Sequence, residues 1–246
     1  MKQYFYAFSM CQSMFCSIPF PCHKWEEKAR GKMLLFLPVI GLEIGFIWAL
    51  FGWLADLLAL SPMVKAIALT VLPFLLTGFI HLDGFMDVTD AVGSCRDLET
   101  RRAILKDSHV GSFAVIGIVL LMLSQFALFT ALKPQANLWA LTLVPCVSRT
   151  AAGIAVLSLP KMSTSQYREQ GKNKGQILFM AFLLGAELIA SLLLFKKWGL
   201  ASFACLLGLS LALNKGYRSL QGMNGDISGY SITIGELTAV AVMALL

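Results

Sequence analysis

The sequence predicts an all-α fold, a polytopic membrane helix bundle of about six to seven transmembrane helices with its active site on the cytoplasmic side. Three observations carry this. Of the 246 residues, 57% are hydrophobic and only 14% are charged, where soluble domains carry roughly 25%, and mean hydropathy is +0.73. Apolar runs recur at lengths close to the about 20 residues that cross a bilayer. Basic residues gather in alternate loops, the pattern of cationic cytoplasmic segments. The net charge of +6 is then explained by loops facing anionic lipid, and no nucleic-acid partner is expected.

Taken in order, residues 1–20 are apolar with Lys2 near the start. The following Cys16-Ser17-Ile18-Pro19-Phe20-Pro21 is not a small-residue cleavage site. A retained interfacial or partly inserted helix is expected rather than a signal peptide. Candidate spans are 33–60, 64–80, 110–132, 138–159, 177–195, 200–213 and 232–246. Seven spans is the preferred count and six the alternative, since three of these runs are short. Pro38 and Pro73 interrupt their runs, which a bundle tolerates where neighbours satisfy the freed carbonyls.

Alternation of these spans sorts the charge. Lys24, Lys28, Arg30 and Lys32 precede the first span, and Arg96, Arg101, Arg102 and Lys106 follow the second. Lys161, Arg168, Lys172 and Lys174 follow the fourth, and Lys215 and Arg218 the sixth. All fall on one side, while the opposite turns hold Lys133, Lys196 and Lys197. The chain reads as one integral-membrane domain, 1–246, without repeats or low-complexity segments. Its six cysteines form no CxxC pair, so neither a zinc site nor a disulfide framework is indicated.

The chemistry collects at His81-Leu82-Asp83-Gly84-Phe85-Met86-Asp87-Val88-Thr89-Asp90. If helical, this segment puts Asp83, Asp87 and Asp90 on one face. Three neighbouring carboxylates repel unless a cation lies among them. A hard divalent ion such as Mg²⁺ takes oxygen ligands and holds phosphate at the same time. Arg101 and Arg102 are candidates to neutralise phosphate oxygens, or they belong to a solvated, ion-paired helix. Asp107 or Ser108 could cap the third span. A helix N-terminus also binds anions, so Ser108 and Gly111 are candidate anion contacts.

Arg149 lies inside an apolar run, where charge is expensive. It either pairs with Glu43, Glu187 or Glu236, or faces an anionic substrate. In Gly222-Met223-Asn224-Gly225-Asp226-Ile227-Ser228-Gly229 one carboxylate stands among three glycines. This is either a tight turn or a second ligand-contacting loop that brings in Asp226.

Four features in order resemble the cobalamin synthase family, the adenosylcobinamide-GDP ribazoletransferases. They are Ile18-Pro19-Phe20-Pro21 with Phe36-Leu37-Pro38-Val39-Ile40-Gly41-Leu42, the segment from His81 through Gly111, Ser148-Arg149, and Gly225-Asp226-Ile227-Ser228-Gly229 followed by Gly235-Glu236-Leu237. The resemblance implies a Mg²⁺-dependent transferase that joins adenosylcobinamide-GDP to α-ribazole or its 5′-phosphate and releases GMP. It also implies a multi-pass protein of the bacterial cytoplasmic (inner) membrane. In that reaction Asp83, Asp87 and Asp90 would hold Mg²⁺. Arg101, Arg102 and Arg149 would offset charge on the departing GMP. Either His81 or an aspartate of the trio would accept the ribazole hydroxyl's proton. A CDP-alcohol phosphotransferase of lipid synthesis and a cation transporter are the competing readings. A homo-oligomer is left open.

Overall fold

A computed structural model describes residues 2–22, 24–163, 165–167 and 173–246. Arg168, Glu169, Gly171 and Lys172, part of the basic loop after the fourth expected span, lie outside them. The described residues form helices and no strands: α1 Lys2–Phe15, α2 Glu27–Arg30, α3 Leu37–Leu57, α4 Pro62–Leu76, α5 Ile80–Gly93, α6 Leu98–Ile104, α7 Ser112–Thr130, α8 Val144–Ser158, α9 Lys174–Phe195, α10 Leu200–Leu220 and α11 Gly225–Leu245. Short 3₁₀ turns lead into α3 and α8 and join α9 to α10.

Five stretches are long and apolar enough to cross a bilayer, or up to six if the bent pair α4–α5 is one broken span. Their outer faces carry the residues a lipid environment wants exposed. Val115, Ile116, Val119, Leu120 and Leu123 line α7, and Phe182, Ile189 and Leu193 line α9; water would strand these patches, but lipid does not. One stretch, Lys174–Leu220, runs for 47 residues and folds back on itself. Ser191 and Ser202 hydroxyls meet at 2.9 Å, although a straight helix would hold residues eleven apart at about 16 Å. The stretch is therefore a hairpin of α9 and α10.

Prolines start helices here more than they break them. Pro38, Pro62 and Pro145 occupy first turns of α3, α4 and α8, where the missing N–H is not needed. Pro38 thus opens its span, contrary to the expected interruption. Pro73 is truly internal, and α4 ends three residues later. There Gly78 (φ 56°) and Phe79 (φ 64°) adopt left-handed backbone in succession, and α5 leaves at 93° to α4. For Phe79 this conformation costs about 1–2 kcal/mol.

Contacts at the ends of the helices define one end of the bundle. Ser17 N donates to Leu76 O at 2.8 Å, at the close of α4. Met162 and Met223 join the exit of α8 to the entry of α11 at 3.0 Å. Gln176, opening α9, donates to Gly31 O at 3.0 Å. The loops gathered here contain the basic clusters. At the far end Lys133 and Lys197 donate to Leu245 O and Leu246 O, and Lys65 pairs with Asp56. The charge alternation expected from sequence is thus built into the fold.

Candidate active site

The site forms where α5 crosses the first turns of α11. The Gly222–Gly229 stretch is not mainly a turn: Asn224 caps α11, its Oδ1 accepting from Ile227 N at 3.0 Å, and Gly225–Gly229 are already helical. Its glycines serve close approach. A Cβ on Gly84 would come within 2.8 Å of Asp226 O, and one on Gly229 within 3.0 Å of His81 O. The two backbones touch, and Thr233 adds a bond to His81 O at 3.3 Å.

This crossing brings Asp226 to the aspartate trio. Asp87, half-buried, sits within the fields of Asp83, Asp226 and Asp90. Among the described residues, none of these four carboxylates has a salt-bridge partner. Nor do any three Asp, Glu, His or Cys side chains there converge tightly enough to enclose a metal ion. Helix geometry explains the spread, since Asp83 and Asp90 are about 10 Å apart along the axis. Asp90 also turns away to the N-terminus of α7, accepting from Ala114 N at 3.4 Å, and Asp226 accepts from Asn224 Nδ2 at 2.5 Å. The donor set, hard anionic oxygens without a counter-charge, nonetheless matches what Mg²⁺ requires.

The other sequence candidates divide. Gly111 does sit beside an anion, and that anion is Asp90: a Cβ at Gly111 would overlap its carboxylate. The caps expected from Asp107 or Ser108 do not form. Gly111 is the N-cap of α7, and exposed Ser108 borders none of the cavities around Asp83. Asp107 instead binds His109, Oδ1 to Nδ1 at 2.6 Å. That contact holds the Asp107 carboxyl below its usual range and raises the His109 imidazole.

Arg101 and Arg102 reach the end of α10. Arg102 donates to Leu220 O at 3.0 Å and Gln221 O at 2.8 Å, and Arg101 to Ser219 O at 3.3 Å. These are the unsatisfied terminal carbonyls of a helix, which attract cations. Arg149 is 1% exposed and paired with Glu236 at 2.5 Å, with Ser148 bridging to the same carboxylate at 2.9 Å. Glu187 is held by Thr150 at 2.7 Å and Cys146 at 3.3 Å. Glu43 accepts from Gln12 at 3.2 Å.

Asp83 borders three spaces. One is a 520 Å³ groove along Ser13–Ser17 and Thr77–Ile80. A narrow cleft runs between Asp87, Asp90 and Gly111. The third, a 90 Å³ cavity, lies beneath His81, Phe15 and Tyr167. Phe15 and Tyr167 were not among the site residues expected from the sequence. Phe15 stacks on His81, ring centroids 6.3 Å apart and planes at 20°, because α1 packs its Ala7–Met10–Cys11–Phe15 face on the bundle. The period of that apolar face was visible; its partner was not.

Together these features define a multi-span α-helical membrane protein with a carboxylate-lined cleft at the basic end of its bundle. The family described as cobalamin-5-phosphate synthase matches residues 7–244, and the chain belongs to it. It is 36% identical over 254 residues to the adenosylcobinamide-GDP ribazoletransferase of Clostridium perfringens (strain SM101 / Type A), covering 100% of both chains. A protein of the same name from Clostridium botulinum (strain Alaska E43 / Type E3) is 34% identical, covering 98% of this chain and 97% of the relative. Another, from Halalkalibacterium halodurans, is 33% identical, covering 89% and 87%. No solved structure matches.

Proposed function

We propose that this chain is an adenosylcobinamide-GDP ribazoletransferase, joining that substrate to α-ribazole or its 5′-phosphate and releasing GMP, with its site facing the cytoplasm of a bacterial membrane. The observation that carries the reading is the unpaired carboxylate cluster at the α5–α11 crossing in a chain of this family. The cytoplasmic side follows from the positive-inside rule, because the cluster shares its end of the bundle with the basic loops.

Asp83, Asp87 and Asp90 would hold Mg²⁺, with Asp226 within reach of the same charge. Bound there, the ion would neutralise pyrophosphate oxygens, the main demand of phosphoryl transfer. The chain's own work is positioning and proton handling. The ribazole 3′-hydroxyl oxygen forms a bond to the cobinamide-linked phosphorus, the bond from that phosphorus to the bridging oxygen breaks, and GMP departs with the electron pair. Asp83 receives the hydroxyl proton, since it borders all three of the spaces described above; a carboxylate can ligate through one oxygen and accept a proton on the other. Burial beneath Phe15 favours a binding role for His81, the other candidate acceptor. Arg101, Arg102 and Arg149 are assigned to holding helix ends and the core.

A transporter would need its free carboxylates near mid-span, and those of the core are engaged. The test is GMP release by the purified protein in detergent with adenosylcobinamide-GDP, ribazole and Mg²⁺. Release that stops on chelation and returns with Mg²⁺ supports the proposal; a folded preparation that releases no GMP refutes it.

A further inference from the structure

We infer that the groove beside Asp83, with its continuation along α1 to Trp25, seats the corrinoid of the nucleotide-activated donor. This rests on the transferase reading above and adds where the largest piece of that substrate lies.

Room is the first argument. A corrin holds four five-membered rings and needs roughly four times the about 150 Å³ that encloses benzene. Of the spaces that Asp83 borders, the cleft and the cavity measure 20 and 90 Å³, and the groove 520 Å³. The groove also continues: its Ser13 and Met14 line a further 330 Å³ hollow with Ser9, Met10, Lys24 and Trp25. Residues 9 and 13, like 10 and 14, are one turn apart, so a single face of α1 joins the two spaces.

Charge and polarity select the occupant. Among the described residues no basic side chain lines the groove, and Asp83 does. The backbone N–H groups of Gly78, Phe79 and Ile80 at its corner are committed to Leu75 O, Phe74 O and Thr77 O. Such a surface does not hold phosphate, which GMP and ribazole 5′-phosphate both carry. The corrinoid, beyond its linking phosphate, carries amides instead. Ser17 Oγ donates to Leu75 O at 2.8 Å and Thr77 Oγ1 to Pro73 O at 3.1 Å, which leaves both hydroxyls with lone pairs to offer. The amides around a corrin supply N–H donors for them. In the hollow, methionines give adaptable apolar surface, and Trp25, 53% exposed, offers a flat aromatic group. Lys24 lies there over the Tyr6 ring at 5.4 Å and can donate to an amide carbonyl. The linker of a corrinoid seated here passes Asp83 and delivers the phosphorus to the carboxylates.

The experiment has a binding arm and a kinetic arm. Equilibrium dialysis of adenosylcobinamide against the protein in detergent, without nucleotide or Mg²⁺, is read by the visible absorbance of the corrin. Wild type should retain it. Ser13→Trp, which fills the groove from an exposed position, should weaken retention about tenfold or more, and Trp25→Ala about two- to tenfold. In kinetics Ser13→Trp should raise the KM for adenosylcobinamide-GDP about tenfold and leave that for ribazole unchanged. The GDP ester of 1-amino-2-propanol, a donor without the corrinoid, should inhibit wild type and variant equally. No retention by wild type overturns the inference. So does a ribazole KM that rises instead, which gives the groove to the acceptor, and so does weaker inhibition by the truncated donor, which gives it to the nucleotide. Unchanged retention in Ser13→Trp, as for a groove filled by lipid, overturns it too. Should that variant not fold, Trp25→Ala decides by the binding arm. Retention that these variants weaken, in a protein that never releases GMP, would sink the transferase reading alone.

Discussion

Two sets of ionisable side chains share this bundle and are organised in opposite ways. In the interior each charged side chain is tied to a neighbour through at least one atom: Glu236 binds Arg149 and Ser148, Glu187 binds Thr150 and Cys146, and Glu43 binds Gln12, while Arg149 Nε and Glu187 Oε2 have no partner among the described residues. At the basic end Asp83, Asp87, Asp90 and Asp226 face one another without a cation among the described residues. Low dielectric makes an unpaired interior charge intolerable. Partial exposure to water makes the half-buried cluster tolerable, but not favourable. On the proposed reading the fold keeps these four carboxylates together for a ligand that brings positive charge. The interior pairs are architecture, and the proposal places the chemistry at the clustered carboxylates that lack a cation.

The strongest challenge to this contrast is Glu236→Ala. It leaves the Arg149 guanidinium buried and unpaired, and unfolding in detergent should show a loss of about 3–5 kcal/mol. The double variant Arg149→Met/Glu236→Leu should recover most of that stability and retain turnover. Recovered stability with lost turnover would move Arg149 into the substrate site.

Arg102→Ala should cost about 1 kcal/mol, its share of the α10 C-terminal carbonyls, and leave the KM for adenosylcobinamide-GDP unchanged. A raised KM for that substrate would make it a phosphate contact. The smallest effect is expected at His109, where both partners are solvent-exposed. The pair raises the imidazole above its ordinary value, so its contribution is present below about pH 6.5 and fades as pH rises through the raised value. His109→Ala should change turnover less than about twofold, and any stability change should be confined to the acidic side. Unfolding curves on either side of neutrality read this directly.

Much of this was legible in the sequence. Composition gave the helical bundle because lipid constrains the backbone, and charge alternation gathered the basic loops at one end of it. The aspartate spacing gave one helical face because i, i+4 and i+7 repeat only on a helix. The missing parts are tertiary. Nothing local says that Gly225–Gly229 begins a helix instead of a loop, since glycine favours loops until a neighbouring backbone demands its absent side chain. Asp90 at α7, Phe15 on His81 and the carbonyls that hold Arg101 and Arg102 are all partners distant in the chain. Arg149 left two readings open, and the structure's Glu236 contact corresponds to one of them.

The most direct test is Asp83→Asn, measured for Mg²⁺-dependent GMP release and for thermal unfolding in the same preparation. The substitution removes one negative charge while keeping shape. Turnover should fall by about 100- to 1,000-fold, with the unfolding transition unchanged or slightly raised because mutual repulsion is relieved. Near-normal turnover would contradict the account.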